Sequence, residues 1–158
     1  MQDHHPDLLE LLAKSDVPFV VIGGHAVSFH GHIRATEDID LVWRRSSRSE
    51  VALLEVLQSV HASWISDEID SSTRLEKTIP VTLEYIRTNR LMMLATDMGF
   101  VDLFDYVPSL PDADIDEFFA QSINAGDLRY TSLQWLRRMK EASGRPQDQA
   151  DLGNLPST

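Results

Sequence analysis

The 158-residue sequence contains no cysteine, which excludes disulfide bridges, thiolate zinc sites and a cysteine nucleophile together. It also lacks any run of the roughly 18 to 20 apolar residues that a membrane-spanning helix needs. Its beginning, MQDHHPDLLELLAK, is acidic and amphipathic, unlike the basic-then-apolar order of a secretory signal. A cytoplasmic protein with no membrane partner is therefore expected. Basic residues are scarce: 14 Lys and Arg stand against 25 Asp and Glu, a formal charge of −11. That excess argues against a surface that coats nucleic acid, although it leaves room for a local basic patch. The seven glycines and seven prolines gather into no linker, and no repeat is visible. One domain over residues 1–158 is expected, with a polar tail from about residue 153. The 42% of apolar residues suffices for a core and rules out disorder of the whole chain.

Hydrophobic periodicity places the elements. Leu8, Leu9, Leu11 and Leu12 fit a helix closed by Ser15 and Asp16, and the run Val17 to Ile22 reads as a buried strand ending at Gly23-Gly24. A short helix over 25–30 with a Gly31 cap follows, then a strand over Ile39 to Trp43. Ser47 and Glu50 have capping-box spacing ahead of Leu53, Leu54 and Leu57. From His61 to Asn89 the pattern is weak, and Val81 to Thr88 fits either a strand or a helical turn. The apolar runs 91–95 and 100–104 flank Thr96-Asp97-Met98-Gly99 and predict a hairpin. Helices close the chain, one with an acidic first turn at Asp112 to Asp114, another with Thr131 and Gln134 as a capping box. The fold class is mixed α/β (α+β), a small mixed sheet flanked by helices with a C-terminal helical segment.

The densest chemical signal is Gly23-Gly24 followed by Asp38-Ile39-Asp40 at the start of a strand. Residues two apart on a strand share a face, so Asp38 and Asp40 aim two carboxylates at one point. Such a pair repels itself unless a cation lies between, and hard oxygen ligands suit Mg²⁺ or Mn²⁺ rather than zinc. Two glycines at a strand-to-helix turn let backbone N–H groups approach a phosphate closely. Together the two halves describe a metal–nucleotide site.

These residues resemble the polymerase-β-like nucleotidyltransferase superfamily, and within it the minimal bacterial nucleotidyltransferases related to AbiEii-type toxins. Asp102, in Gly99-Phe100-Val101-Asp102, matches the third carboxylate of that superfamily. The run Ser132 to Ala142, then Gly144-Arg145-Pro146-Gln147-Asp148 and Asp151-Leu152, is similar to its closing Lys-bearing helix and Arg-Pro-x-Asp-x-x-Asp-Leu segment. The resemblance implies transfer of a nucleoside monophosphate from an NTP to an acceptor hydroxyl on tRNA, a protein or a small molecule. It also implies Mg²⁺ or Mn²⁺ held by Asp38, Asp40 and Asp102, with Asp102 drawing the proton from the acceptor. Lys140, with Arg145 behind it, is implied at the triphosphate, and Arg34 and Thr36 as further phosphate donors. Membership of a toxin–antitoxin or phage-defence pair would supply a cognate partner protein.

The chain departs from that pattern at His25, where many relatives carry serine; its nearest hydroxyl is Ser28. This departure and the short length motivate the alternative of an inactive nucleotidyltransferase-fold module that binds a partner protein. A phosphohydrolase using the same carboxylates is a third reading. Other patterns have plainer explanations. Asp112-Ala113-Asp114 and Asp114-Ile115-Asp116 repeat the Asp-x-Asp motif but read as a solvated helix start. His25, His30 and His32 share no helix face and are not read as a zinc site. Arg44, Arg45, Arg48, Arg87, Arg90, Arg137 and Arg138 fit surface charges and an RNA-phosphate track equally. Trp43, Trp64 and Trp135 are expected in the core or at a partner contact.

Overall fold

The computed structural model describes residues 7–36 and 38–157. The first six residues of the acidic start, Glu37 ahead of the Asp pair, and residue 158 lie outside the described residues. The elements run α1 (Leu8–Ala13), β1 (Phe19–Ile22), α2 (Gly23–Phe29), β2 (Ile39–Trp43), α3 (Ser47–Ser59), β3 (Ser63–Ile69), β4 (Glu76–Pro80) and α4 (Leu83–Thr88). They continue as β5 (Leu91–Thr96), β6 (Gly99–Phe104), α5 (Ile115–Ala120), β7 (Ile123–Ala125), β8 (Leu128–Tyr130), α6 (Leu133–Ser143) and α7 (Pro146–Asn154). Among the described residues the strands form one mixed sheet in the order β4-β3-β5-β6-β2-β1-β8-β7. The pairs β2·β6 and β1·β8 are parallel and the other pairs antiparallel. The fold is thus mixed α/β, as its periodicity predicts. No described helix is long and apolar enough to cross a membrane.

Strand alternation sorts side chains onto the two faces. Val21, Leu41, Trp43, Met92, Leu94, Val101 and Leu103 point to a core closed by Leu8 and Leu12 of α1, Leu53 and Leu57 of α3, and Ile86 of α4. On the opposite face Val20, Ile22 and Val42 meet Ala26 and Val27 of α2, Phe118 of α5, and Trp135, Leu136 and Met139 of α6. Asp40 and Asp102 share this second face, between Val42 and the strand ends. Helices cover it over β1 and β2, but Met93 of β5, Phe100 of β6 and Ile65 of β3 remain exposed.

Several boundaries move by one residue for a local reason. Ser46, not Ser47, caps α3: its hydroxyl accepts from Ser49 N–H while Ser49 Oγ accepts from Ser46 N–H. Ser132, not Thr131, caps α6 by accepting from Trp135 N–H at 3.2 Å. Where neighbouring hydroxyl residues compete, the one with extended backbone at the helix edge takes the cap. Val81 to Thr88 resolves as a helix from Leu83, capped by Thr82. The weakly patterned middle holds the β3–β4 hairpin. Past residue 153, α7 continues to Asn154 and Leu155 is buried in the second core, so packed structure extends into the segment expected to become a polar tail.

The other motifs find structural roles. Asp114 caps α5, accepting from Asp116 N–H and Glu117 N–H, so Asp114-Ile115-Asp116 is a helix start. Asp112 lies in the turn ahead of it, and the acidic first turn falls at Asp116 and Glu117 rather than at Asp112 to Asp114. His30 Nε2 lies 2.7 Å from the Thr131 carbonyl and ties α2 to β8. Arg45 is bound by Asp105, Glu50 and the carbonyls of Ile86 and Asn89. Arg44 pairs with Asp116, Arg48 with Asp16 and Arg90 with Asp105. That part of the basic cluster is therefore engaged within the chain. Trp43 and Trp135 are core residues, and Trp64 stacks on Tyr85 at 5.0 Å.

Candidate active site

The parallel pairing of β2 with β6 sets Asp40 directly opposite Asp102. Ile39 and Leu41 are drawn into the first core, which turns Asp40 to the other face; Val101 and Leu103 do the same for Asp102. The two carboxyls stand close enough for each to shift the other's titration. Burial pushes the Asp40 carboxyl up to about 7, helped by the charges of Asp102 and Asp38, while Arg145 opposes the shift. Asp102 is also raised, by burial and then against the hydrogen bond from Asp40. Asp38, just before β2, is exposed and adds its charge to both. The arrangement holds three acids near one point, where their charges oppose one another.

Those acids form one wall of a cavity of about 330 Å³. Eight of the nine residues expected at the site line it: Gly23, Gly24, Arg34, Asp38, Asp40, Asp102, Lys140 and Arg145. Thr36 does not; it sits behind Gly24, and its hydroxyl donates to the Asp38 carbonyl at 3.2 Å. The glycines are required by the chain's own packing. Gly23 has φ +64°, and a Cβ there would stand 2.9 Å from Asp40 Cβ and overlap its carboxylate. A Cβ on Gly24 would stand 2.7 Å from Thr36 Oγ1. The close approach expected of a phosphate is thus made, at these two positions, by Asp40 and Thr36.

A linked set of cations lines the same cavity. Arg34 grips Asp151 through Nε at 2.9 Å and Nη2 at 3.0 Å. Lys140, only 5% exposed, places Nζ 2.9 Å from Asp148 and 2.8 Å from Asp151. Arg145 donates from Nε to Asp148 at 2.9 Å, and Ser143 and Gln147 complete the two aspartates' partners. Burial by itself would raise both carboxyls, but hydrogen bonds from Ser143, Lys140 and Arg145 hold Asp148 below the usual range. Bonds from Arg34 and Lys140, with their charges, do the same for Asp151. Three cations against two anions leave this wall positive. Arg145, with a side chain 77% exposed, is the cation open to a ligand, whereas Lys140 is committed to its two aspartates.

Sequence reading did not assign site roles to Asp148, Asp151, Ser143 or Ser109, which also lines the cavity. The spacing of Asp148 and Asp151 was the available signal, because residues three apart on α7 point to one side. The acids suit a divalent cation: Asp40 and Asp102 offer adjacent oxygens whose repulsion a metal would relieve in place of a proton. As their side chains stand, no three His, Asp or Glu among the described residues converge as a metal-holding group. Asp38 contributes charge rather than a third converging oxygen.

No family model matches the sequence, and no curated protein matches it. Among solved structures, JHP933 from Helicobacter pylori aligns with 92% of this chain and 60% of its own at 15% identity, with a TM-score of 0.45. The chain thus spans about three fifths of that protein's length.

Proposed function

We propose that the chain is a metal-dependent nucleotidyltransferase, moving NMP from an NTP to an acceptor hydroxyl and releasing pyrophosphate. The observation that carries this reading is one cavity lined both by Asp38, Asp40 and Asp102 and by Arg34, Lys140 and Arg145. Nucleotidyl transfer asks mainly for positioning and charge neutralisation, and a bipolar cleft is built for a polyphosphate with its cation. In this reading Asp40 and Asp102, with Asp38 beside them, hold Mg²⁺ or Mn²⁺, which neutralises phosphate charge when bound. Arg145 binds phosphate oxygens through its free guanidinium edge. Asp148 and Asp151 hold Lys140 and Arg34 in place, so the positive wall exists before the ligand arrives. Asp102 accepts the acceptor's proton. A cognate partner, as in toxin–antitoxin pairs, belongs to the same proposal.

One observation favours a second reading, an inactive module of this fold that binds a partner protein. Arg34 and Lys140 are already neutralised by Asp148 and Asp151. The two readings part in one experiment: each α-labelled NTP with Mg²⁺ or Mn²⁺, tRNA and a bacterial protein extract, beside the Asp38→Asn/Asp40→Asn variant. The enzyme reading predicts label on an acceptor, reduced about 100-fold or more in the folded variant. An unlabelled mixture with wild-type protein favours the binding module.

A further inference from the structure

A second cavity, of about 580 Å³, adjoins the first and shares Asp102, Phe104, Pro108, Ser109, Ser143 and Arg145 with it. Its remaining wall is Leu91, Met93, Tyr106 and Ala142. Resting on the nucleotidyltransferase reading, we infer that this groove seats the acceptor, and that the acceptor is a hydroxyl-bearing side chain of a polypeptide presented on an apolar surface.

The position follows from the direction of attack. An NTP in the first cavity, with its cation at Asp40 and Asp102, has its leaving phosphates toward the cluster of Arg34, Lys140 and Arg145, where Arg145 offers the free edge. In-line displacement then requires the acceptor oxygen on the far side of the α-phosphorus. That side is the Asp102 partition, and the second groove opens there. The acceptor oxygen bonds to the α-phosphorus as the bond from that phosphorus to the bridging oxygen breaks. Pyrophosphate leaves with the electron pair, and the hydroxyl proton passes to Asp102 and on to water.

The class of acceptor follows from the lining. A nucleic-acid track needs several cations at phosphate spacing. The groove offers one cation with a free edge, Arg145, which the nucleotide already takes, and the adjacent Arg90 is held by Asp105 and lies over the Tyr106 ring at 4.9 Å. The chain's charge of −11 further repels a polyanion. Apolar surface also continues past the groove. Met93 lies opposite Asp102, Phe100 opposite Ala95, and Ala95 opposite Ser63, two residues before Ile65. Directly opposed residues share a face, so Met93 (64% exposed), Phe100 (55%) and Ile65 (55%) extend the groove across three strands. At about 4.8 Å per strand this strip is roughly 10 Å wide, more than a small acceptor needs. A protein surface carrying its hydroxyl among apolar neighbours covers both.

The test uses the full chain, all four α-labelled NTPs with Mn²⁺, and two acceptors. These are acetylated, amidated Leu-X-Leu tripeptides with X as Ser, Thr or Tyr, and bulk tRNA. Met93→Lys is the diagnostic variant, because Met93 is exposed and outside the nucleotide cavity. The proposal predicts label on a tripeptide, cut at least tenfold by Met93→Lys, while the NTP-induced melting shift stays as in wild type. Label on tRNA that Met93→Lys leaves equal or raises overturns it in favour of a nucleic-acid acceptor. A wild-type melting shift without label on either acceptor also overturns it. Absence of the melting shift itself removes the nucleotidyltransferase reading, and that failure is visible independently of the acceptor.

Discussion

Asp40 is a residue whose environment works against its charge. Its carboxyl stands near 7 in the folded chain against 3.8 in the unfolded one, so the native state binds the extra proton between those values. The stabilisation from that proton is complete below about pH 4 and disappears as pH rises through 7. Asp40→Asn removes the penalty. We expect it to raise stability by on the order of 2 kcal/mol at pH 8, roughly 4–8 °C in Tm. The gain should shrink toward zero near pH 4, which melting curves across pH will show. Loss of transfer with a gain in stability would identify Asp40 as a functional residue held at a structural cost. Gly23→Ala acts on the same carboxylate by geometry. The positive φ and the overlap with Asp40 predict a loss of roughly 2 kcal/mol or more in urea unfolding.

Among the elements, α6 and α7 matter most for the cationic wall, and their ion pairs are unequal. Asp151 is fully buried and satisfies Arg34 and Lys140 at once. Asp151→Ala leaves both cations short of a partner and should cost roughly 3–5 kcal/mol. Lys140→Met should cost clearly less, because Asp148 keeps Arg145 and Ser143 while Asp151 keeps Arg34 and Gln147. Equal costs in denaturant titrations would mean that the lysine, not the aspartate, organises the cluster. Legibility in the sequence followed the same physics. Hairpin β5–β6 was readable because two apolar runs flank a short turn, and β2 because Ile39 and Leu41 bracket Asp40. Strands β3 and β4 were not: SWISDEI and EKTIP sit near the sheet edge with mostly exposed side chains, so burial left little pattern. Spacing on a strand points to Asp38 and Asp40, whereas Asp102 is legible only through the family resemblance. The α7 partners were visible as a motif, but their bonds to Arg34 and Lys140 join segments more than one hundred residues apart in one case, which periodicity does not report.

Taken as a whole, the molecule gathers two clusters of opposite charge in one cavity, and pH acts on them in opposite senses. Asp148 and Asp151, held low by their partners, contribute stability above about pH 4 that is lost as pH falls through their depressed values. Asp40 loses its contribution on the way up to about 7, and Asp102, also raised, acts in the same sense. With a net charge of −11 added, stability is expected to peak in the weakly acidic range rather than at pH 7 to 8, as chemical denaturation at stepped pH will reveal. The central claim is that the acidic wall holds a divalent cation against a nucleotide. Its most direct measurement is Mn²⁺ binding, followed through the electron paramagnetic resonance signal of the free aquo ion, with an NTP analogue carrying a methylene between the α and β phosphorus atoms. The account predicts Mn²⁺ uptake that the analogue strengthens and that Asp38→Asn/Asp40→Asn weakens at least tenfold without unfolding the chain. Equal uptake by both proteins, or none at millimolar Mn²⁺ and nucleotide, would contradict it.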